Sequence, residues 1–144
     1  MTVRIKKLDE RAIIPTYGTE FSAGADLYAL LDAPTEIKPH ETQFIHTGIS
    51  VEIPVGYCGL IFARSSMGAK RGLAPANKVG VIDSDYRGEI MVALHNHSEM
   101  MAVVEPGERI AQLAILPFLK AEFDETSDLS DTVRGAGGFG STGK

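Results

Sequence analysis

Apolar and polar positions alternate with a period of two along much of the chain, and no long stretch keeps a helical period. In YCGLIFAR, Cys58, Leu60 and Phe62 share one face while Tyr57, Gly59 and Ile61 share the other. In EIMVALHNH, Ile90, Val92 and Leu94 alternate with Met91, Ala93 and His95. Successive side chains of a strand point to opposite sides of a sheet, so each run predicts a β-strand. VRIKKL, ADLYAL, TQFIHTGISVEI, KVGVI and RIAQLAIL read the same way. Prolines from Pro15 to Pro117 keep the runs short. Many short strands divided by turn signals predict an all-β sandwich or barrel in one domain. A single helical turn is expected around residues 66–71.

Residues 58–63 and 110–116 are apolar on both faces, which predicts burial between layers or against another chain. Apolar residues thin out from Asp124 (DETSDLSDTV). Residues 1–123 therefore read as the body, and 124–144 as a linker with a flexible glycine-rich arm.

Composition narrows the options. The 144 residues are one domain's worth, and 44% apolar with 23% charged content is ordinary for a soluble globular protein. Cys58 is the single cysteine, which excludes an intrachain disulfide and fits a reducing compartment. MTVRIKKLDER has no apolar run of the signal-peptide kind, and no segment is long enough to span a bilayer. A cytoplasmic location with no membrane partner is the expectation. The net charge of −5 also argues against nucleic acid, whose binding depends on neutralising phosphates. A polyanionic ligand would need arginines gathered locally, and Arg64, Lys70, Arg71, Arg87, Arg109 and Arg134 are available for that.

The chemistry concentrates in five segments. RGAGGFGSTGK (residues 134–144) holds five of the chain's 15 glycines around Phe139, with Arg134 at one end and Ser141 and Thr142 near the other. Bare backbone N–H groups can form an anion-binding concavity, and arginine adds a forked donor for phosphate oxygens. This pattern suits an arm that folds over a nucleotide, though a disordered Gly-Ser tail has the same composition. NKVGVIDSDYRGEI (residues 77–90) reads as a β-hairpin, with Asn77 at its mouth and Asp83, Tyr86 and Arg87 near its tip. Asp83 stands where an apolar strand meets a polar turn; partial burial there would suit a general base, whereas a plain turn former explains it equally. ARSSMGAKRGLA offers Arg64, Ser65 and Ser66 after an apolar strand, either for phosphate oxygens or as an ordinary helix start. AGADL places Asp26 at the opening of a strand. GERIAQLAI carries Gln112 inside an apolar strand, where a buried amide must find partners.

These five segments, in this order, resemble the five motifs of the trimeric dUTP pyrophosphatases (dUTPases), from Ala23 almost to the last residue. The resemblance implies a jelly-roll β-barrel forming a homotrimer with shared active sites, which hydrolyses dUTP to dUMP and pyrophosphate with Mg²⁺. It implies that Asp83 is the general base and that Tyr86 packs on the deoxyribose and rejects a ribose. Asn77 and the backbone of Gly80, Val81 and Ile82 would read uracil, with Met91 lining the same pocket. Arg64, Ser65, Ser66 and Gln112 would hold the phosphates, and Asp26 would meet the magnesium through water. Phe139 and Gly140 would cover the base, while Arg134, Ser141 and Thr142 would engage the γ-phosphate.

Departures from the family pattern are Ala63 for proline and Ser66 for glycine in the second motif, and Met91 where lysine is common. His95 and His97 share a strand face; ordinary hydrogen bonding is expected of them rather than metal ligation. A dCTP deaminase-like enzyme and a non-catalytic, nucleotide-gated regulator are the competing functions.

Overall fold

The computed structural model describes residues 1–138, among which twelve strands and one short helix form. The central sheet has five strands: β2 (Thr16–Tyr17), β3 (Ala25–Tyr28), β12 (Arg109–Pro117), β7 (Tyr57–Phe62) and β9 (Gly80–Ile82), in that spatial order. A three-stranded sheet is ordered β5 (Thr42–His46), β10 (Met91–Asn96) and β8 (Leu73–Pro75). Two pairs complete the structure: β1 (Arg4–Lys7) with β6 (Ile49–Glu52), and β4 (Thr35–Ile37) with β11 (Ala102–Val104). Every pairing is antiparallel, and most neighbours are distant in sequence. Such crossing connections make a jelly roll rather than a meander.

The alternation read from sequence is the alternation that packs. In β10, Val92, Leu94 and Asn96 are buried while Met91 is exposed. Leu27, Ile37, Ile45, Ile49, Leu73 and Ile110 join Val92 and Leu94 in a continuous core. Residues 66–71 were expected to turn, and helix α1 spans Ser65–Arg71. It stops at Gly72, whose left-handed φ of 65° lets its N–H reach the Met67 carbonyl. Lys70 and Arg71 in the last turn complement the helix dipole.

Two expectations need correction. TQFIHTGISVEI is two strands, broken where Gly48 takes φ 68°; a Cβ there would lie 2.6 Å from Leu30 Cδ2. Residues 77–90 are not a paired hairpin. β9 bonds to β7, whereas β10 bonds to β5 and β8 in the other sheet. The turn around Asp83 and Tyr86 carries the chain from one sheet to the other, with Tyr86 N–H donating to the Asp83 carbonyl at 3.2 Å.

β7 and β12 are buried on one face only. On the other, Leu60 and Ile115 are half-buried, and Phe62 and Leu116 are exposed at the strand ends. After Pro117 the Phe118 N–H donates to the Gly56 carbonyl at 3.0 Å, and residues 118–136 are exposed throughout. Among the described residues, no helix is long and apolar enough to cross a membrane.

Candidate active site

Asp26 organises the basic end of the central sheet. The register aligns Thr16, Asp26, Gln112 and Phe62 across β2, β3, β12 and β7. Arg64 follows two residues after Phe62, at the start of α1. A register shift between Arg109 and Ala111 in β12 marks a bulge on the same side. The Asp26 side chain is 4% exposed and its carboxylate draws three donors together. Arg64 Nε donates to Oδ1 at 2.8 Å, Arg109 Nη1 to Oδ2 at 3.3 Å, and Gln112 Nε2 to Oδ1 at 3.4 Å. Arg64 Nη1 also donates to the Arg109 carbonyl at 3.4 Å. Two guanidinium groups against one carboxylate leave this corner of an acidic chain with net positive charge.

Sequence reading placed Arg64 and Gln112 in one site, and the structure brings them to the same carboxylate. Arg109 joins them, although sequence reading had noted it only as one of several scattered cations. The available signal was its place in the GERIAQL segment, three residues before Gln112. Ser65 and Ser66 are exposed in the first turn of α1. The helix N-cap is Arg64, with no side-chain cap bond, so neither serine plays the capping role.

The 77–91 segment lies elsewhere. Asn77 is exposed in a turn where Lys78 adopts φ 66° and donates its backbone N–H to the Pro75 carbonyl at 2.9 Å. Gly80 is buried against Ile61, Val81 faces outward and Ile82 is half-buried. Asp83, one residue beyond β9, is exposed. Its expected partial burial is not found, because no other element of the same chain covers that rim. Tyr86 donates its hydroxyl to the Glu89 carbonyl at 2.9 Å. Met91, 42% exposed, begins β10 opposite His46.

The pairing of β7 with β9 separates the two groups. Gly59 faces Ile82 and Ile61 faces Gly80, so extending the register sets Asp83 level with Cys58 and Arg64 level with Asn77. Six residue steps along β7 lie between those levels, roughly 20 Å at 3.3 Å per residue. One chain therefore holds its Asp83 and its Arg64 at opposite ends of the same strand pair.

Arg134, also exposed, closes a local turn through Nε to the Gly137 carbonyl at 3.0 Å. Phe139, Gly140, Ser141 and Thr142 lie outside the described residues. His95 and His97 stack edge to face at 4.4 Å between ring centroids. The first bonds to Thr42 Oγ1 at 2.9 Å, and Lys78 Nζ donates to the second at 3.2 Å. Burial, then the nearby charge of Lys78, holds the His97 pKa below the usual histidine value. No group of three His, Cys, Asp or Glu side chains is placed to hold an ion among the described residues.

A jelly roll that offers paired guanidinium groups at one end of a strand pair, with bare backbone along its neighbour, is a protein fitted to a phosphorylated ligand. The comparisons make the class specific. The dUTPase family model matches residues 10–143, and the chain belongs to that family. A deoxyuridine 5'-triphosphate nucleotidohydrolase of Nautilia profundicola is 50% identical over 144 residues, covering all of both chains. Its counterpart in Acinetobacter baumannii is 46% identical over 149 residues, covering 100% of this chain and 99% of the relative. The solved dUTPase of Staphylococcus bacteriophage 80alpha with dUpNHpp superposes with a TM-score of 0.90 at 29% identity, covering 99% of both chains. The phage phi11 dUTPase, with a TM-score of 0.81 at 23% identity over 91% of this chain, shares the fold and was solved with a structural Mg(II) ion.

Proposed function

We propose that the protein is a dUTP diphosphatase: it hydrolyses dUTP to dUMP and pyrophosphate in an assembly of identical chains. The observation that carries this reading is the Asp26 cluster, which fixes Arg64, Arg109 and Gln112 as a ready-made phosphate seat. The family membership and the named activity of its relatives supply the substrate.

The same reading assigns the remaining roles. Asp83 accepts a proton from water, the water oxygen bonds to the α-phosphorus, and the α–β bridging bond breaks to release pyrophosphate. A positioned base contributes on the order of 10²–10⁴ in rate, with the remainder from orientation and charge neutralisation. Asn77 and the backbone of residues 80–82 read uracil, Met91 borders that pocket, and Tyr86 bars a 2′-hydroxyl. Ser65 and Ser66 add donors to the phosphate seat. Arg134, Phe139, Gly140, Ser141 and Thr142 close over the nucleotide from the arm.

The roughly 20 Å between the Asp83 and Arg64 levels supports a site built from more than one copy. One chain supplies the base and pyrimidine reader, and another the phosphate seat. A homotrimer with closed symmetry satisfies this for every site. The half-exposed apolar face of β7 and β12 is compatible with such packing.

Magnesium fits the donor set. With no dense ligand cluster, the ion would arrive on the phosphates and keep most of its waters, as Mg²⁺ prefers. Asp26 is the one carboxylate in the cluster, and its roughly four lone-pair sites exceed its three protein donors, leaving room for a bridging water. Bound there, the ion would neutralise charge on the phosphate chain.

The test is pyrophosphate release from dUTP with Mg²⁺, run beside UTP, dTTP and dCTP. Preference for dUTP supports the reading, ammonia from dCTP would favour the deaminase, and no pyrophosphate at all would favour the regulator. Asp83→Asn should retain nucleotide and lose turnover; near-normal activity would remove Asp83 from the base role.

A further inference from the structure

The segment that carries Tyr86 is fastened to the β5–β6 turn by contacts that no role assigned so far explains. Glu89 Oε1 accepts the Gly48 N–H at 2.8 Å, and its Oε2 accepts from His46 Nδ1 at 2.8 Å. Thr47 Oγ1 donates to the Ile90 carbonyl at 2.5 Å, and the Ile90 N–H donates to the Ile49 carbonyl at 2.9 Å. Ser50 Oγ donates to the Arg87 carbonyl at 2.8 Å. Every residue from Arg87 to Ile90 except Gly88 is thus tied to the turn at residues 46–50. Gly88 is left bare for another reason: a Cβ there would strike the Tyr86 phenol.

Tyr86 has one hydrogen bond to fix its ring, and the acceptor is the Glu89 carbonyl at 2.9 Å. The same residue therefore anchors the phenol through its backbone and the loop through its side chain. Glu89's side chain is 22% exposed, against 55% for His46, so the carboxylate is the sheltered partner. Burial alone would raise its pKa, but the bonds from His46 and the Gly48 N–H outweigh that and hold it below the ordinary glutamate value. A loop tip that must press a ring against a sugar needs this kind of support behind it.

We propose that Glu89, assisted by His46, is a positioning residue that sets the ring of Tyr86 and thereby the preference for deoxyribose over ribose. The inference rests on the dUTPase reading and on Tyr86 as the sugar-contacting residue. A group acting this way changes selectivity more than turnover. Loss of the carboxylate lets the phenol's acceptor drift, so the extra hydroxyl of a ribonucleotide meets a softer wall.

The experiment compares kcat and KM for dUTP and UTP in the wild type, Glu89→Gln, Tyr86→Phe and the double variant. Glu89→Gln should lower the dUTP-to-UTP ratio of kcat/KM by on the order of tenfold, the scale of one lost charge-assisted bond. The change should fall mainly on KM, with kcat for dUTP reduced less. Added to Tyr86→Phe, the same substitution should cost little further selectivity, because both act on one contact. A uniform loss with both substrates, or losses that multiply in the double variant, would overturn the proposal. If Glu89→Gln does not fold, His46→Gln, which spares the Gly48 bond, should shift the ratio in the same direction. A wild type inactive on dUTP would refute the underlying reading and this inference with it. An active wild type with an unchanged ratio in Glu89→Gln would refute the inference alone.

Discussion

Replacing Asp26 by asparagine tests whether one carboxylate organises the phosphate seat. Asparagine keeps one acceptor oxygen but turns an NH₂ group toward donors that previously met a negative charge. The short contact from Arg64 at 2.8 Å is the strong one; those from Arg109 at 3.3 Å and Gln112 at 3.4 Å lie near the limit of a useful bond. A hydrogen bond to a charged group contributes about 1.5–3 kcal/mol, and breaking one partner of a fully buried pair costs about 3–5 kcal/mol. Here the side chain of Arg64 is 21% exposed and that of Arg109 is 50% exposed, so water relieves part of the loss. The expected destabilisation is about 2–3 kcal/mol. With a urea m-value of about 1–3 kcal/mol/M, the midpoint should fall by roughly 1–2 M at fixed protein concentration. The kcat/KM for dUTP should drop by more than about tenfold, since an unanchored Arg64 samples many rotamers before meeting phosphate. A variant within about 0.5 kcal/mol of the wild type, with undiminished kcat/KM, would show that Asp26 does not hold the seat.

Other perturbations read other parts of the molecule. Inactive Arg64→Ala chains, unfolded and refolded with inactive Asp83→Asn chains, should regain activity at about a quarter of the sites if each site draws on two copies; no recovery would place both residues in one chain's site. Gly48→Ala should cost about 2–4 kcal/mol, from a left-handed φ of 68° and a Cβ only 2.8 Å from Ala12 Cβ, and thermal denaturation would detect it. Glu89 has its pKa depressed by folding, so its contribution to stability is complete above the ordinary value of 4.5 and lost as pH falls through the folded value. Urea midpoints between about pH 3 and 6 should therefore fall more steeply for the wild type than for Glu89→Gln. Deleting residues 134–144 should cripple turnover while the assembly, followed by light scattering, stays intact.

The strands with clear alternation were legible because their period is a local property. VRIKKL, ADLYAL, YCGLIFAR and RIAQLAIL each contain an observed strand, and α1 falls where one helical turn was expected. β4, β8 and β11 escaped because three residues are too few to display a period. Pairing partners were illegible for a different reason: they depend on contacts far apart in sequence. Residues 77–90 look like a hairpin, yet β9 finds β7 and β10 finds β5 and β8. The same limit hid Arg109, whose tie to Asp26 spans 83 residues. It hid the exposure of Asp83 as well, since a strand end looks identical in sequence whether or not anything covers it. The motifs named the site's residues but left open that a single chain keeps them apart.

That separation along β7 and β9 makes catalysis a property of concentration. A newly made or isolated polypeptide would carry both reagents yet be unable to bring them to the same nucleotide. Specific activity should then decline once dilution drives the subunits apart, and the enzyme would switch on only after quality-controlled folding had produced enough matching copies to meet.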